Sequence, residues 1–210
     1  MFLPSFSAKI VDNEILVEER LLDFGLVPDQ IIAVANIARN WATDASPLMP
    51  TNAPGTLAYI YGVNELRNQI LNDAWKVDRT CGVEAVINRE LRVRIGYQNV
   101  DRACDPIFGP MPRSAKGTAS EALSGPTLFE ASGVETGPLT GVLPDGVPTY
   151  YVMVGEDGSV ELSHPVISNG TYKEFIERIF VKGVGPDWSE KIDSETGPVN
   201  DFDITVKLKD

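Results

Sequence analysis

The chain has 210 residues and a formal net charge of −12, from 18 basic and 30 acidic side chains. Hydrophobic residues make up 43% and charged residues 23%, which excludes a wholly disordered, collagen-like or coiled-coil chain. No apolar run approaches the roughly 18 residues of a membrane span, MFLPSFSAKIVDNE lacks the basic start of a secretory signal, and two cysteines cannot make a disulfide scaffold. The expectation is one large or two small domains with no membrane contact, cytoplasmic or in a virion rather than secreted.

Charge is unevenly spread. Residues 1–75 carry 4 basic and 9 acidic groups, residues 76–116 carry 8 and 5, and residues 117–210 carry 6 and 16. An acidic surface disfavours nucleic acid, whose phosphates need clustered Lys and Arg, except through the basic middle segment.

Helices come first in chain order. Residues Glu14 to Phe24 have helical character and stop at Gly25. Pro28 suits the first turn of a second helix, and Ile31, Val34, Ile37, Ala38 and Trp41 recur at helical spacing to Thr43. Pro47, Pro50 and Pro54 mark a loop. A third helix is expected over Thr56–Trp75, with Gly62 inside it pointing to a close approach by another element.

Strands follow. Val83–Ile87 and Leu91–Tyr97 form an expected hairpin about Asn88, Arg89 and Glu90, and Leu91, Val93, Ile95 and Tyr97 alternate with Arg92, Arg94, Gly96 and Gln98. Asp101 to Val147 then holds 7 Gly and 6 Pro in 47 residues with little periodicity. A segment of that length without its own periodicity is uncommon inside a compact domain. It is expected to run as an extended arm, with a short helix near Thr118–Leu123.

Thr149–Val154 and Ser159–Val166 flank Gly155-Glu156-Asp157-Gly158 as a hairpin. Asn169-Gly170 is a turn, and Thr171 with Glu174 matches a capping box for a short helix carrying Phe175, Ile176, Ile179 and Phe180. Phe202, Ile204, Val206 and Leu208 alternate as a final strand. The reading is therefore an α+β fold: a helix-rich N-terminal part with a β-hairpin (1–100), a Gly/Pro-rich irregular arm (101–147) and a small C-terminal α+β unit (148–210). One continuous domain is the alternative.

Chemistry-bearing motifs are sparse. The single histidine, His164, is expected to be structural, although it could serve as a base for Cys81 or Cys104. Two Cys and one His cannot supply a recognisable zinc set, and Asp193, Glu195, Asp201 and Asp203 do not match the EF-hand spacing. The phosphate-loop, dinucleotide and GxSxG patterns are absent. No metal or cofactor is expected, and the residues identify no small-molecule substrate.

The partner-binding candidates are Arg92, Arg94, Arg102, Arg113 and Lys116, with Ile107, Phe108, Leu128 and Phe129 as apolar anchors. The leading expectation is a structural or assembly subunit, of a virus or phage particle, contacting neighbouring subunits through the arm. An acidic inhibitor or adaptor for a basic or nucleic-acid-binding protein is the alternative. An enzyme with a site on the long loop is the third reading.

Overall fold

A computed structural model describes residues 8–114 and 146–183. It combines three helices with a seven-stranded mixed sheet, an α+β arrangement. The helices are α1 (Glu14–Leu22), α2 (Pro28–Thr43) and α3 (Ala53–Ile70). The strands are β1 (Lys9–Val11), β2 (Trp75–Asp78), β3 (Ala85–Asn88), β4 (Val93–Asn99), β5 (Thr149–Val154), β6 (Val160–Ser168) and β7 (Thr171–Lys182). Their order across the sheet is β1-β7-β6-β5-β4-β3-β2. β4 pairs with β5 and β1 with β7 in parallel; the other neighbours are antiparallel. Both edges are short strands, which limits the unpaired backbone that an edge exposes.

Local chemistry sets the helix ends. Asn13 caps α1 by accepting hydrogen bonds from the amides of Ile15 and Leu16. α2 begins on Pro28, and Gln30 ties the helix down at both ends of its amide: its oxygen accepts from Val27 N–H, and its nitrogen donates to Gln69 O on α3.

All three helices lie on one face of the sheet. Val17, Leu21, Ile31, Val34, Ala38, Val63 and Leu66 close over Val86, Ile95, Val152, Leu162 and Ile179. Gly62 shows why a glycine interrupts α3. The Tyr97 ring of β4 lies so close that an added Cβ would sit 2.5 Å from its carbons. The opposite face carries a smaller cluster, with Val100, Ala103, Tyr151, Met153, Ile167, Tyr172 and Phe175.

Several expected elements differ from the observed ones. The helix expected over Thr171–Phe180 is the long strand β7. Asn169 and Gly170 both have positive φ, 53° and 75°, so they form a tight reversal that returns the chain directly onto β6. Thr171 therefore pairs with Ser168 and caps nothing. Three register shifts along β6–β7 place twelve residues of β7 against nine of β6. Each bulge inserts a residue and breaks the two-residue period. Tyr172 and Phe175 therefore share a face three positions apart, which mimics helical spacing.

The third helix starts earlier than expected and ends at Ile70, because Asn72 accepts from the amides of Ala74 and Trp75 and turns the chain out into β2. β1 and β2 were not expected at all. The hairpin turn covers Arg89–Arg92, with Asn88 accepting from Glu90 and Leu91. The polar side of β4 does not face solvent: Arg94 and Gln98 are buried, and Gly96 lies under Tyr151. The expected Thr118–Leu123 helix, the final strand and the Asp193–Asp203 acidic group lie outside the described residues, as does most of the arm.

Candidate interaction surface

The end of β4 leads into a closed loop. Val100 forms a bridge with Pro112, Asp101 N–H donates to Met111 O, and Arg113 N–H donates to Asn99 O. Residues 99–113 thus leave and return at nearly one point, the geometry of an Ω-loop. Two aspartates shape its interior. Asp101 Oδ1 accepts from the amides of Arg102 and Met111, and Asp105 Oδ1 accepts from Ile107 and Phe108. Those last two hydrogen bonds, from Phe108 and then Ile107, hold the Asp105 carboxyl below the usual carboxylate range.

The loop is anchored through the sheet face that lacks helices. Successive residues of β7 point to opposite faces, so Glu177 meets the helices and Arg178 meets the loop. Arg178 makes a two-pronged pair with Glu161 of β6, Nε to Oε1 at 2.9 Å and Nη2 to Oε2 at 2.7 Å. Both side chains are at most 3% exposed. The pair is satisfied on its remaining sides by the loop and the sheet. Cys104 N–H donates to Glu161 Oε2 at 2.6 Å, Ser163 Oγ donates to Glu161 Oε1, and Arg178 Nη1 donates to Asp105 O at 2.8 Å. Ala103 N–H donates to Ser159 Oγ, and Gly109 packs on the Phe175 ring too closely for any Cβ. The Cys104 thiol, buried and near Glu161, is pushed up to about 12, which makes it an unreactive neutral donor.

This clamp presents apolar side chains outward. Ile107 is 80% exposed, Phe108 59% and Met111 45%. The Arg102 guanidinium lies 5.6 Å from the centre of the Phe108 ring and pairs with Asp101 at 3.1 Å. Arg113 pairs with Glu156 of the β5–β6 hairpin. Arg102, Ile107, Phe108 and Arg113 are therefore brought onto one loop.

The other candidates separate. Arg92 is exposed in the hairpin turn at the opposite end of β4, about 20 Å away at the usual strand rise. Arg94 is in the interior, 0% exposed, and donates to Asp78 Oδ2 at 2.6 Å. Lys116, Leu128 and Phe129 lie outside the described residues. Glu161, Arg178, Asp105 and Met111 were not singled out from sequence. The one signal is Glu161, a charge near the start of the strand run VELSHPVIS.

The remaining candidates for chemistry are spoken for. His164 packs against Tyr150 on the helix side of the sheet, ring centres 5.0 Å apart and tilted by 37°, whereas Cys104 lies on the loop side, so the two do not meet. Cys81 is exposed beside the edge strand β2, four strands from β6. Among the described residues, no group of three or more His, Cys, Asp or Glu could hold a metal ion.

A small cavity of about 200 Å³ lies where the ends of β4 and β5 meet α2 and α3. Several of its polar groups serve one another: Tyr97 O–H donates to Asn99 Oδ1, Asn99 Nδ2 donates to Gly55 O, and Arg113 holds Glu156.

On the helix side, Glu177 gathers Arg20, Lys9 and Tyr150 at 2.8 Å each and so ties α1 and β1 to the sheet. Burial opposes its ionisation, but the hydrogen bonds from Arg20, Lys9 and Tyr150 outweigh that and hold its carboxyl at about 2. Comparison with protein-family models, curated proteins and solved structures gives no match to this chain.

Proposed function

We propose that this protein is a structural or assembly subunit that contacts neighbouring copies of itself through the loop at residues 99–113. The observation that carries this reading is the exposure of Ile107, Phe108 and Met111 on a loop that a buried ion pair holds in shape. Exposed apolar side chains cost solubility, and a pre-ordered loop loses little entropy on docking. Phe108 under Arg102 has the character of an interface anchor, since aromatic residues and arginine are enriched where binding energy concentrates. Arg102 and Arg113, paired with Asp101 and Glu156, give the apolar patch a polar, charge-balanced rim of the kind that surrounds an interface core.

The test is absolute mass by light scattering across concentration and salt. The wild-type chain is expected to form a discrete multimer. Ile107→Ser/Phe108→Ser is expected to shift it to the 22.9 kDa monomer while the circular dichroism spectrum and thermal midpoint stay unchanged. A wild-type chain that is monomeric at every concentration, or a multimer indifferent to the double substitution, would refute the proposal.

A further inference from the structure

A second surface lies between α1, the start of α2 and the end of β7, and meets the loop at residues 99–113 only at Cys104. It is a groove of about 900 Å³. α1 buries one stripe, Val17 and Leu21, against the sheet. Ile15, Glu18, Glu19 and Leu22 follow the spacing i, i+3, i+4, i+7, and all four line the groove. Ile15 is 66% exposed and Leu22 69%, and Val27 joins them from the α1–α2 turn. This second stripe of α1, apolar at Ile15 and Leu22 and acidic at Glu18 and Glu19 between them, is left uncovered by the sheet.

The charge around this second stripe is one-sided. Asp12, Glu14, Glu18, Glu19 and Asp29 line the groove, against Lys182 as its one cation among the described residues. None of the five carboxylates pairs with a cation among the described residues, whereas Glu177 nearby is fully engaged. We infer that the α1 groove docks a basic, amphipathic helix of a partner protein, whose apolar side chains enter between Ile15, Leu22 and Val27 while its Lys and Arg meet the carboxylate rim.

Charge selects this occupant. Five carboxylates against one lysine attract a cationic helix and repel an acidic one. A helix is the matching shape, because Ile15, Glu18, Glu19 and Leu22 share one face of α1, which packs against the i, i+3, i+4, i+7 face of another helix. The carboxylates set attraction and on-rate, and the apolar stripe sets the register.

The experiment is a fluorescence anisotropy titration of the full chain with a labelled Lys/Leu peptide that forms an amphipathic helix. A peptide of the same composition with its leucines scattered is the control. The wild-type chain is expected to bind the amphipathic peptide at least tenfold more tightly than the control. Ile15→Ser/Leu22→Ser is expected to abolish that preference. Glu18→Lys/Glu19→Lys is expected to weaken binding at least tenfold and to flatten its salt dependence, since the rim then carries as many cations as carboxylates and little net attraction remains to be screened.

Equal affinity for the two peptides, or affinity unaffected by both double substitutions, would overturn the inference. So would a lowered thermal midpoint for Ile15→Ser/Leu22→Ser without peptide, which would mean the chain's own residues fill the groove. Loss of self-association in that variant would assign the groove to a second copy instead, and would likewise overturn it. The substitutions do not touch Ile107 or Phe108, so this result and that of the loop test stand apart.

Discussion

Replacing Arg178 by methionine tests whether the loop and the sheet are one cooperative unit. The substitution keeps much of the side-chain length and its packing between Phe175 and Phe180, over which the guanidinium stands at 5.4 and 4.8 Å. It removes the charge that answers Glu161, a carboxylate that is 0% exposed. Two donors to Glu161 remain, Cys104 N–H and Ser163 Oγ–H, so its charge is hydrogen-bonded but no longer neutralised. Breaking a buried ion pair by deleting one partner costs about 3–5 kcal/mol, and losing the bond to Asp105 O adds about 1 kcal/mol. An expected loss of about 4–6 kcal/mol consumes much of the total stability of a domain this size. Urea denaturation measures it directly. The companion Arg178→Met/Glu161→Leu removes both charges and is expected to recover more than about 2 kcal/mol of that loss, because no unpaired charge stays buried. The loop would still lose its clamp at Cys104 and Asp105, so chymotrypsin is expected to cut after Phe108 faster in the double variant than in wild type. An Arg178→Met variant within about 1 kcal/mol of wild type would refute the reasoning, since it would mean that Glu161 is hydrated.

Two further substitutions probe the helix side. Gly62→Ala gains about 1 kcal/mol of helix propensity but drives a Cβ into the Tyr97 ring, where overpacking costs about 1–3 kcal/mol. The thermal midpoint is expected to fall, and to rise instead when Gly62→Ala is made in a Tyr97→Leu background. Glu177 sets an acid dependence: its folded carboxyl titrates at about 2 against an ordinary value of 4.5, so it binds fewer protons folded than unfolded between those limits. The stability it supplies, about 3 kcal/mol, is fully present above pH 4.5 and is lost as the pH falls toward 2. Urea midpoints of wild type and Glu177→Gln are expected to differ at pH 7 and to converge near pH 2; a constant gap would sink this assignment.

What the sequence made legible was local. Pro28 and the helical spacing through Trp41 place α2 at its observed ends, and Gly155-Glu156-Asp157-Gly158 marks the β5–β6 reversal. Gly62 signalled a close approach without naming Tyr97, because the partner is 35 residues away on another element. The misread strand β7 fails for a definite reason: a turn with two positive φ angles was followed by a bulged strand whose apolar spacing imitates a helix. Short edge strands escape for the opposite reason, since three or four residues contain too few periods to register.

The candidate surface was half legible, and the missing half is what gives the loop its shape. Ile107 and Phe108 stand out as apolar residues in a Gly/Pro-rich stretch, and Arg102 and Arg113 as its local charges. Composition marks them as candidates but says nothing of whether the loop holds still. That property comes from Glu161 and Arg178, 17 positions apart in sequence and joined only by the β6–β7 register. Arg94 is the converse: it alternates as a surface residue would, yet Asp78 and the burial of both sheet faces draw it inside. A charge in a strand is therefore ambiguous until its opposite face is known to be covered. On β7 both cases occur in consecutive residues. Glu177 fastens the helices to one face and Arg178 fastens the loop to the other, so a shift of β7 by one residue would exchange the two charges between faces. The register of this single strand thus couples the helical layer to the loop, and a substitution that loosens β7 is expected to cost both stability and association.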